Sequence, residues 1–322
     1  GENVGSYAIN LGSLDAGMNY AINYTGANFT ITKATITGIT FADGIFVFDG
    51  TEKSLAITGT LPVGTSIAYS NNGRTDVGSQ EVTATITGSN FNTLVLTADL
   101  TIIPAEIGAI TFADGIFVFD GTEKSLAITG TLPAGTAVAY TNNGRTDVGS
   151  QEVTATITGS NFNTLVLTAD LTIIPAEIGA ILFADGTFEY DGTEKSLSIT
   201  GTLPSGTSVA YTNNGRTDVG SQEVTATITG SNYTTLELTA DLTITAKEIT
   251  VTADAGQSKI AGEADPTLTY TAEGLADGEG MEVFAGSLSR AAGEEVGMYA
   301  ITQGTLSAGD NYTINFIGAD FE

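Results

Sequence analysis

The side chains best suited to chemistry in this chain are carboxylates that lie close together in sequence. Asp43, Asp49 and Glu52 form one group, Asp76 follows a nearby turn, and Glu106 lies where one repeat passes into the next. Ca²⁺ binds where several oxygen atoms converge, so these five residues are candidate calcium ligands. Asp-Gly is also a common turn signal, and no Asp-x-Asp-x-Asp-Gly loop occurs. Turn formation and solubility are therefore the competing interpretation, and we predict no required cofactor.

The composition excludes most other chemistry. The chain has no Cys and no His, and its 37 acidic residues against 10 basic ones give a net charge of −27. The sequence therefore lacks thiol nucleophiles, disulfides and the usual general base near neutral pH. The negative charge repels phosphate backbones and anionic lipids, so we predict neither nucleic-acid binding nor membrane insertion. Small duplicated modules offer no cleft for a catalytic carboxylate pair, and we predict that the protein is not an enzyme.

Two further features of the central acidic repeats could serve binding. Arg74 is isolated in an acidic repeat, and we predict that it forms a surface ion pair with Asp76, worth at most about 1 kcal/mol. The loop from Asn71 to Gly78 could instead recognise a glycan or a protein partner. Tyr69 has the parity of an inward-facing residue, which argues against its stacking on a sugar.

Internal repetition organises these residues. The segment NNGRTDVGSQEV begins at Asn71, Asn142 and Asn213, which gives a period of 71 residues. The sequence therefore predicts three similar modules, here called the central repeats, at residues 34–104, 105–175 and 176–245.

The two ends of the chain belong to a different module. Residues 1–29 align without gaps on residues 293–321. We therefore predict that residues 246–322 form a fourth module that lacks its last strand, and that residues 1–33 are the C-terminal half of a module of the same type. The chain is then expected to begin inside a module, so the lack of a signal peptide in residues 1–10 carries little weight.

Apolar residues alternate with period two in each central repeat, which is typical of half-buried strands. In residues 81–87 the side chains of Val82, Ala84 and Ile86 are expected to face inward, and residues 93–102 alternate in the same way. A third stretch, Ile-Phe-Val-Phe at residues 45–48, is apolar on both faces, so we place it at the centre of a sheet. Gly and Pro turns separate these runs. The pattern predicts an all-β fold of Ig-like antiparallel β-sandwich modules.

The connections between modules contain no flexible spacer. Ile-Ile-Pro-Ala-Glu ends one repeat and begins the next at residues 102–106, and again at 173–177. Proline lacks an N–H group and interrupts strand pairing, so the chain can enter the next module directly. We therefore predict a tandem array that forms an elongated rod.

The fourth module resembles a known repeat family. Its segments at residues 249–253, 262–270 and 297–301, with the Asn-Tyr-Thr at 311–313, resemble the MBG repeat, which is named for being mostly β and glycine-rich. The usual Tyr before Gly262 is Ala261 here. The central repeats are similar to YDG-type and Ig-like adhesin repeats: Tyr-Asp-Gly-Thr begins at Tyr190, and the first two repeats carry Phe for Tyr.

This resemblance implies a segment of a large bacterial surface adhesin, with no catalytic residues. We expect an extracellular structural stalk that extends a binding tip from the bacterial cell surface. Its partners would be neighbouring modules of the same chain, with host or substrate surfaces contacted through regions not included here. The alternatives are a subunit of a self-assembling extracellular filament and a directly adhesive glycan- or protein-binding module.

Overall fold

A computed structural model describes residues 2–322 of the chain. The chain divides into two compact units. The first comprises Gly1–Gly115, Lys124–Arg145 and Ser150–Thr172, and the second comprises Ile116–Glu123, Thr146–Gly149 and Ile173–Glu322. No helix within residues 2–322 is long and apolar enough to cross a membrane.

The first unit begins with a two-stranded antiparallel sheet of β1 (Gly5–Ile9) and β2 (Ala27–Ile31). The first central repeat follows with four strands: β3 (Gly44–Val47), β4 (Thr65–Ser70), β5 (Gly78–Gly88) and β6 (Phe91–Ile103). They form one sheet in the order β3-β6-β5-β4, in which β3 pairs in parallel with β6 and the other pairs are antiparallel.

The same elements recur at intervals of 71 residues. The second repeat contains β7 (Gly115–Val118), β8 (Thr136–Thr141), β9 (Gly149–Gly159) and β10 (Phe162–Ile174), with β8 antiparallel to β9. The third repeat, within the second unit, contains β11 (Gly186–Glu189), β12 (Thr207–Thr212), β13 (Gly220–Gly230) and β14 (Tyr233–Thr245). Its sheet has the order β11-β14-β13-β12.

The fourth module ends the second unit with two small sheets. Its strands are β15 (Lys247–Ala253), β16 (Tyr270–Glu273), β17 (Ser289–Arg290), β18 (Tyr299–Thr302), β19 (Tyr312–Ile317) and β20 (Asp320–Phe321). The sheets have the orders β16-β15-β19 and β17-β18-β20, and a short 3₁₀ helix covers Met281–Val283. The prediction of an all-β fold is confirmed.

The alternating pattern determines which side chains enter the core. Val82, Ala84 and Ile86 of β5 are buried, as are Leu100 and Ile102 of β6, while the residues between them are more exposed. The predicted inward faces of both strands are therefore confirmed. Residues 36–43 and 53–62 lie outside this sheet and pair only through isolated bridges, such as Thr40 with Thr58.

The predicted central position of residues 45–48 is wrong. β3 lies at the edge of the sheet and pairs only with β6. Ile45 is 70% exposed, and Val47 is also exposed. The longer β5–β6 hairpin occupies the middle because it offers two full rows of backbone hydrogen-bonding groups. A four-residue strand can satisfy only a short part of one row.

Candidate functional site at the module junctions

The predicted calcium ligands near the first Asp-Gly turns hold backbone and side-chain groups of their own module. Asp43 Oδ1 accepts a hydrogen bond from the amide of Asp99 at 2.7 Å. Asp49 accepts bonds from the amide and hydroxyl of Thr51 and forms an ion pair with Lys53 at 2.6 Å. Lys53 and Thr51 hold the pKa of Asp49 well below its usual value. Asp49 thus stabilises its own turn, whereas Asp43 connects its loop to strand β6.

The remaining candidates are also separate from one another. The carboxylate of Glu52 lies against Gly73. Asp76 accepts a bond from the side-chain amide of Asn161 at 2.9 Å, and Glu106 accepts one from that of Asn163 at 2.6 Å. Residues 2–322 contain no group of three or more acidic side chains arranged to hold a metal ion. Calcium binding stays a prediction without a preassembled site.

The hydrogen bond between Asp76 and Asn161 is part of a contact that joins two neighbouring modules. Asn161 belongs to the turn between β9 and β10 of the second repeat and contacts the first repeat with both ends of its side-chain amide. Its Oδ1 accepts a hydrogen bond from the amide of Val77 at 2.9 Å, while its Nδ2 donates to Asp76 Oδ1. One Asn side chain therefore bonds to two consecutive residues of the preceding module. We call this pair of hydrogen bonds the asparagine clamp.

The asparagine clamp recurs at each of the four predicted junctions. Asn90 bonds to Asn3 and Val4, Asn232 to Asp147 and Val148, and Asn311 to Asp218 and Val219, with distances of 2.8–2.9 Å. In every case the first residue accepts from the amide Nδ2 and the following Val donates its backbone N–H. The clamp thus joins central repeats to each other and to both segments of the other module type.

An arginine holds the loop that receives the clamp. Arg74 donates to the backbone carbonyls of Asp76 and Val77 at 2.8 and 2.9 Å and to Gln80 Oε1 at 3.3 Å. The predicted ion pair between Arg74 and Asp76 is therefore wrong, because the loop wraps its main chain around the guanidinium and turns the carboxylate toward the next module. Gly78 allows this approach, since a Cβ there would lie 2.0 Å from the arginine Nη2. Arg216 makes the same bonds in the third repeat.

Aromatic rings pack beside three of the clamps. The ring that follows the clamp residue contacts an aromatic ring of the preceding module, edge to face, with centroids 5.4 Å apart. These pairs are Phe48 with Phe162, Phe119 with Tyr233, and Tyr190 with Tyr312. Such a pair contributes about 0.5–1.5 kcal/mol beyond the area that it buries.

The chain enters each new module next to the clamp. Ala105, which follows the junction proline, donates its amide to the backbone carbonyl of Asn161 at 3.0 Å and accepts from the amide of Asn163 at 2.9 Å. The turn between β9 and β10 therefore makes both the backbone hydrogen bonds to Ala105 and the asparagine clamp. Sequence reasoning missed this turn. The available signal was the recurring Asn-aromatic pair, which begins at Asn90, Asn161, Asn232 and Asn311.

Solved structures that align with the chain are multidomain arrays. Titin domains I67-I69 have 11% identity and a TM-score of 0.24, covering 65% of this chain and 99% of theirs. Drosophila OTK extracellular domains 3-5 have 9% identity and a TM-score of 0.22, covering 67% and 100%. The human Desmocollin-1 ectodomain has 9% identity and a TM-score of 0.24, covering 89% and 81%.

No curated protein sequence gives a significant match. Models of protein families do match, and over almost the whole chain. The MBG domain (YGX type) matches residues 1–30 and 249–322. A second model, described as MBG domain, matches residues 37–106, 108–177 and 180–260, so the three central repeats also carry this assignment. The chain belongs to the MBG domain family.

Proposed function

We propose that this chain is a structural stalk segment of a large bacterial cell-surface adhesin, located outside the cell, which holds a binding tip away from the surface. The observation that carries the proposal is the recurrence of the asparagine clamp at four successive junctions. Membership of the MBG domain family supports it, since these repeats are typical of bacterial surface proteins.

The clamp restricts movement between modules because both ends of one amide must stay in place. Each hydrogen bond contributes about 1 kcal/mol, and the packed rings add to this. The junction has no Gly- or Ser-rich linker that could act as a flexible tether. Tandem modules connected in this way are suited to transmitting a load along the chain, and the net charge of −27 discourages lateral association.

Small-angle X-ray scattering of the chain tests this proposal. A compact protein of this length has a radius of gyration of about 20 Å, and a stalk is expected to exceed this value clearly. Replacing Asn90, Asn161, Asn232 and Asn311 by Ala should broaden the distance distribution. The matched control is Asn92→Ala, at an exposed residue outside the clamp. A radius near 20 Å for the unaltered chain would contradict the stalk role.

The proposed location needs its own test. Antibodies raised against the purified chain should label intact cells of the source organism. Labelling only after the cells are lysed would contradict a surface location.

Direct glycan binding through the loop from Asn71 to Gly78 gains no support from the geometry. Asn72 bonds to the amide and carbonyl of Leu55, Gln80 bonds to the carbonyls of Asn71 and Gly73, and Arg74 holds the loop itself. These polar groups serve the module's own structure. Binding of the chain on a glycan array would revive the adhesive alternative.

A second candidate function, self-association, is favoured by the apolar residues of the N-terminal segment, residues 2–33. Residues 2–30 of this segment align with residues 294–322, but the apolar side chains of the segment are uncovered. Leu14 is 65% exposed, whereas its counterpart Leu306 is 3% exposed.

The proposed occupant of this face is a second copy of the chain. Each copy contains residues 247–292, the half of the fourth module against which residues 293–322 pack, and residues 2–33 present similar side chains. Light scattering across a dilution series should show a concentration-dependent dimer or oligomer that Leu14→Ser weakens. Met18→Ser is the control, because Met18 is exposed and its counterpart is the polar Asp310. A monomer at all concentrations would exclude this function.

A further inference from the structure

The central repeats differ in the aromatic residue that precedes their Asp-Gly turn. This residue is Phe48 in the first repeat, Phe119 in the second and Tyr190 in the third. The two phenylalanines are each followed by another central repeat. Tyr190 is followed by the fourth module, and it is the one residue of the three that carries a hydroxyl group.

That hydroxyl finds a partner in the fourth module. Tyr190 donates a hydrogen bond to Glu279 Oε1 at 2.5 Å, and Tyr312 donates to the other carboxylate oxygen. The amide of Ala276 donates to the Tyr312 oxygen at 2.9 Å. Both tyrosines are buried, at 5% and 8% exposed. The bond to Glu279 raises the pKa of Tyr190 to about 12, so the phenol remains a donor at neutral pH.

Glu279 occupies a turn position that central repeats fill with threonine. Its amide donates to the carbonyl of Ala276 at 3.1 Å. In the third repeat, Thr207 makes the same backbone bond to Pro204 at 3.2 Å, and its hydroxyl donates to that carbonyl at 2.7 Å. The short threonine side chain therefore forms its hydrogen bond within its own turn, whereas the longer glutamate side chain reaches the preceding module.

The two positions vary together along the chain. Phe48 is followed by a repeat with Thr136 at this turn, Phe119 by one with Thr207, and Tyr190 by the module with Glu279. The ring of a phenylalanine has no polar group, so it needs only apolar contacts and no hydrogen-bond partner. The carboxylate of Glu279 is partly buried and is stabilised by two hydroxyl donors, so losing one of them costs free energy.

The junction with Tyr190 also shares a hydrophobic core. Tyr190 and Leu197 belong to the same cluster of buried residues as Ala276 and Tyr312 of the fourth module. Gly192, in the turn after Tyr190, lies against the Ala276 side chain, where an added Cβ would come within 3.5 Å. The loop around Glu279 therefore covers the turn that presents Tyr190.

We propose that Tyr190 is a specificity determinant of module order. It makes the end of the third central repeat an interaction surface for a module that presents a carboxylate at the position of Glu279. Phenylalanine at this position, as in Phe48 and Phe119, fits a module that presents threonine. This role of Tyr190 goes beyond the stalk function, because it determines which module type can follow which.

Hydrogen exchange of the full chain, followed by mass spectrometry, tests this pairing. Tyr190→Phe and Glu279→Thr should each accelerate exchange in residues 274–284 by about tenfold or more, as expected for loss of a bond to a charged group. The double variant should exchange no faster than the faster single variant, because both changes remove one interaction. If Tyr190→Phe exchanged within about twofold of the unaltered chain, the proposal would be overturned. It would also be overturned if the acceleration in the double variant equalled the product of the accelerations in the two single variants.

Transfer of the pair to another junction gives a test that does not rely on destabilisation. Phe119→Tyr combined with Thr207→Glu should slow exchange in residues 202–210 relative to Phe119→Tyr alone. Equal exchange in the two chains would show that the pair does not carry specificity and would overturn the proposal.

Discussion

Asn161 illustrates how a single side chain can join two modules. Its amide has one acceptor and one donor directed at the preceding repeat, and both find partners on consecutive residues. Aspartate, serine or threonine could not supply this combination over the same reach. The clamp therefore depends on a side-chain amide, which offers a donor and an acceptor at one end.

Replacing Asn161 by Ala should loosen the junction between the first and second repeats. Two hydrogen bonds of about 1 kcal/mol each are lost, so the amide of Val77 should exchange its hydrogen at least about tenfold faster. Nuclear magnetic resonance can follow this amide directly. Asn92→Ala is the control, and equal exchange in the two variants would argue against the clamp.

Asp265 provides a test of electrostatics within the fourth module. Hydrogen bonds from Arg290 and Lys259, at 2.7 and 2.8 Å, lower its pKa from 3.8 to about 2. Because the folded-state pKa is the lower one, this contribution to stability is present above about pH 4 and is lost as the pH falls through about 2. A carbon-13 titration should find a midpoint near 2 that Arg290→Gln raises. A midpoint near 3.8 in the unaltered chain would contradict the ion pair.

At the scale of elements, the central repeats contain one long hairpin with shorter strands at its sides. β5 and β6 alternate buried and exposed residues over their whole length, and the short β3 pairs at the edge. The hairpin also carries Asn90 in its turn, so the element that forms the core presents the clamp. Module stability and module connection thus depend on the same element.

Two isoleucine substitutions distinguish the edge of the sheet from its centre. Ile86→Ala, in the buried face of β5, should lower the free energy of unfolding of the first repeat by about 2–5 kcal/mol. Ile45→Ala, in the exposed face of β3, should change it by about 0.5 kcal/mol or less. Hydrogen exchange of β5 and β6 amides reports both values. Similar losses would show that β3 is more deeply buried than we describe.

At the scale of the whole molecule, two module types share one connection. Asn90 binds a segment of one type and Asn311 belongs to the other type, yet both make the same two bonds. A common junction lets modules be combined, while a residue such as Tyr190 can restrict their order. The negative charge is likewise distributed over the modules rather than concentrated in one site.

Calcium binding remains a prediction for the whole chain. Binding to the folded state at 100 times Kd would add about 2.7 kcal/mol of stability, so melting in calcium should occur at a higher temperature than melting in chelator. Asp43→Asn and Glu52→Gln should reduce that shift, with Asp15→Asn as the control. An unchanged Tm would remove the calcium hypothesis.

Much of the architecture was predictable from local sequence. The 71-residue period, the two module types and the buried faces of β5 and β6 follow from repetition and from alternation of apolar residues. Turns were equally accessible, since Gly64 and Asn71 adopt positive φ in segments expected to turn. Alternation and turn formation depend on residues near one another in sequence, and repetition is visible in the sequence directly. None of these features requires knowledge of how the elements pack.

Tertiary structure decided which residues meet across modules. Asn161 and Val77 are 84 residues apart, and Tyr190 and Glu279 are 89 apart. Alternation indicates which face of a strand is buried, but not which neighbour it meets or whether the strand lies at an edge. The position of β3, the asparagine clamp and the bonds of Arg74 depend on how separate elements pack. Only the folded chain brings those groups within hydrogen-bonding distance.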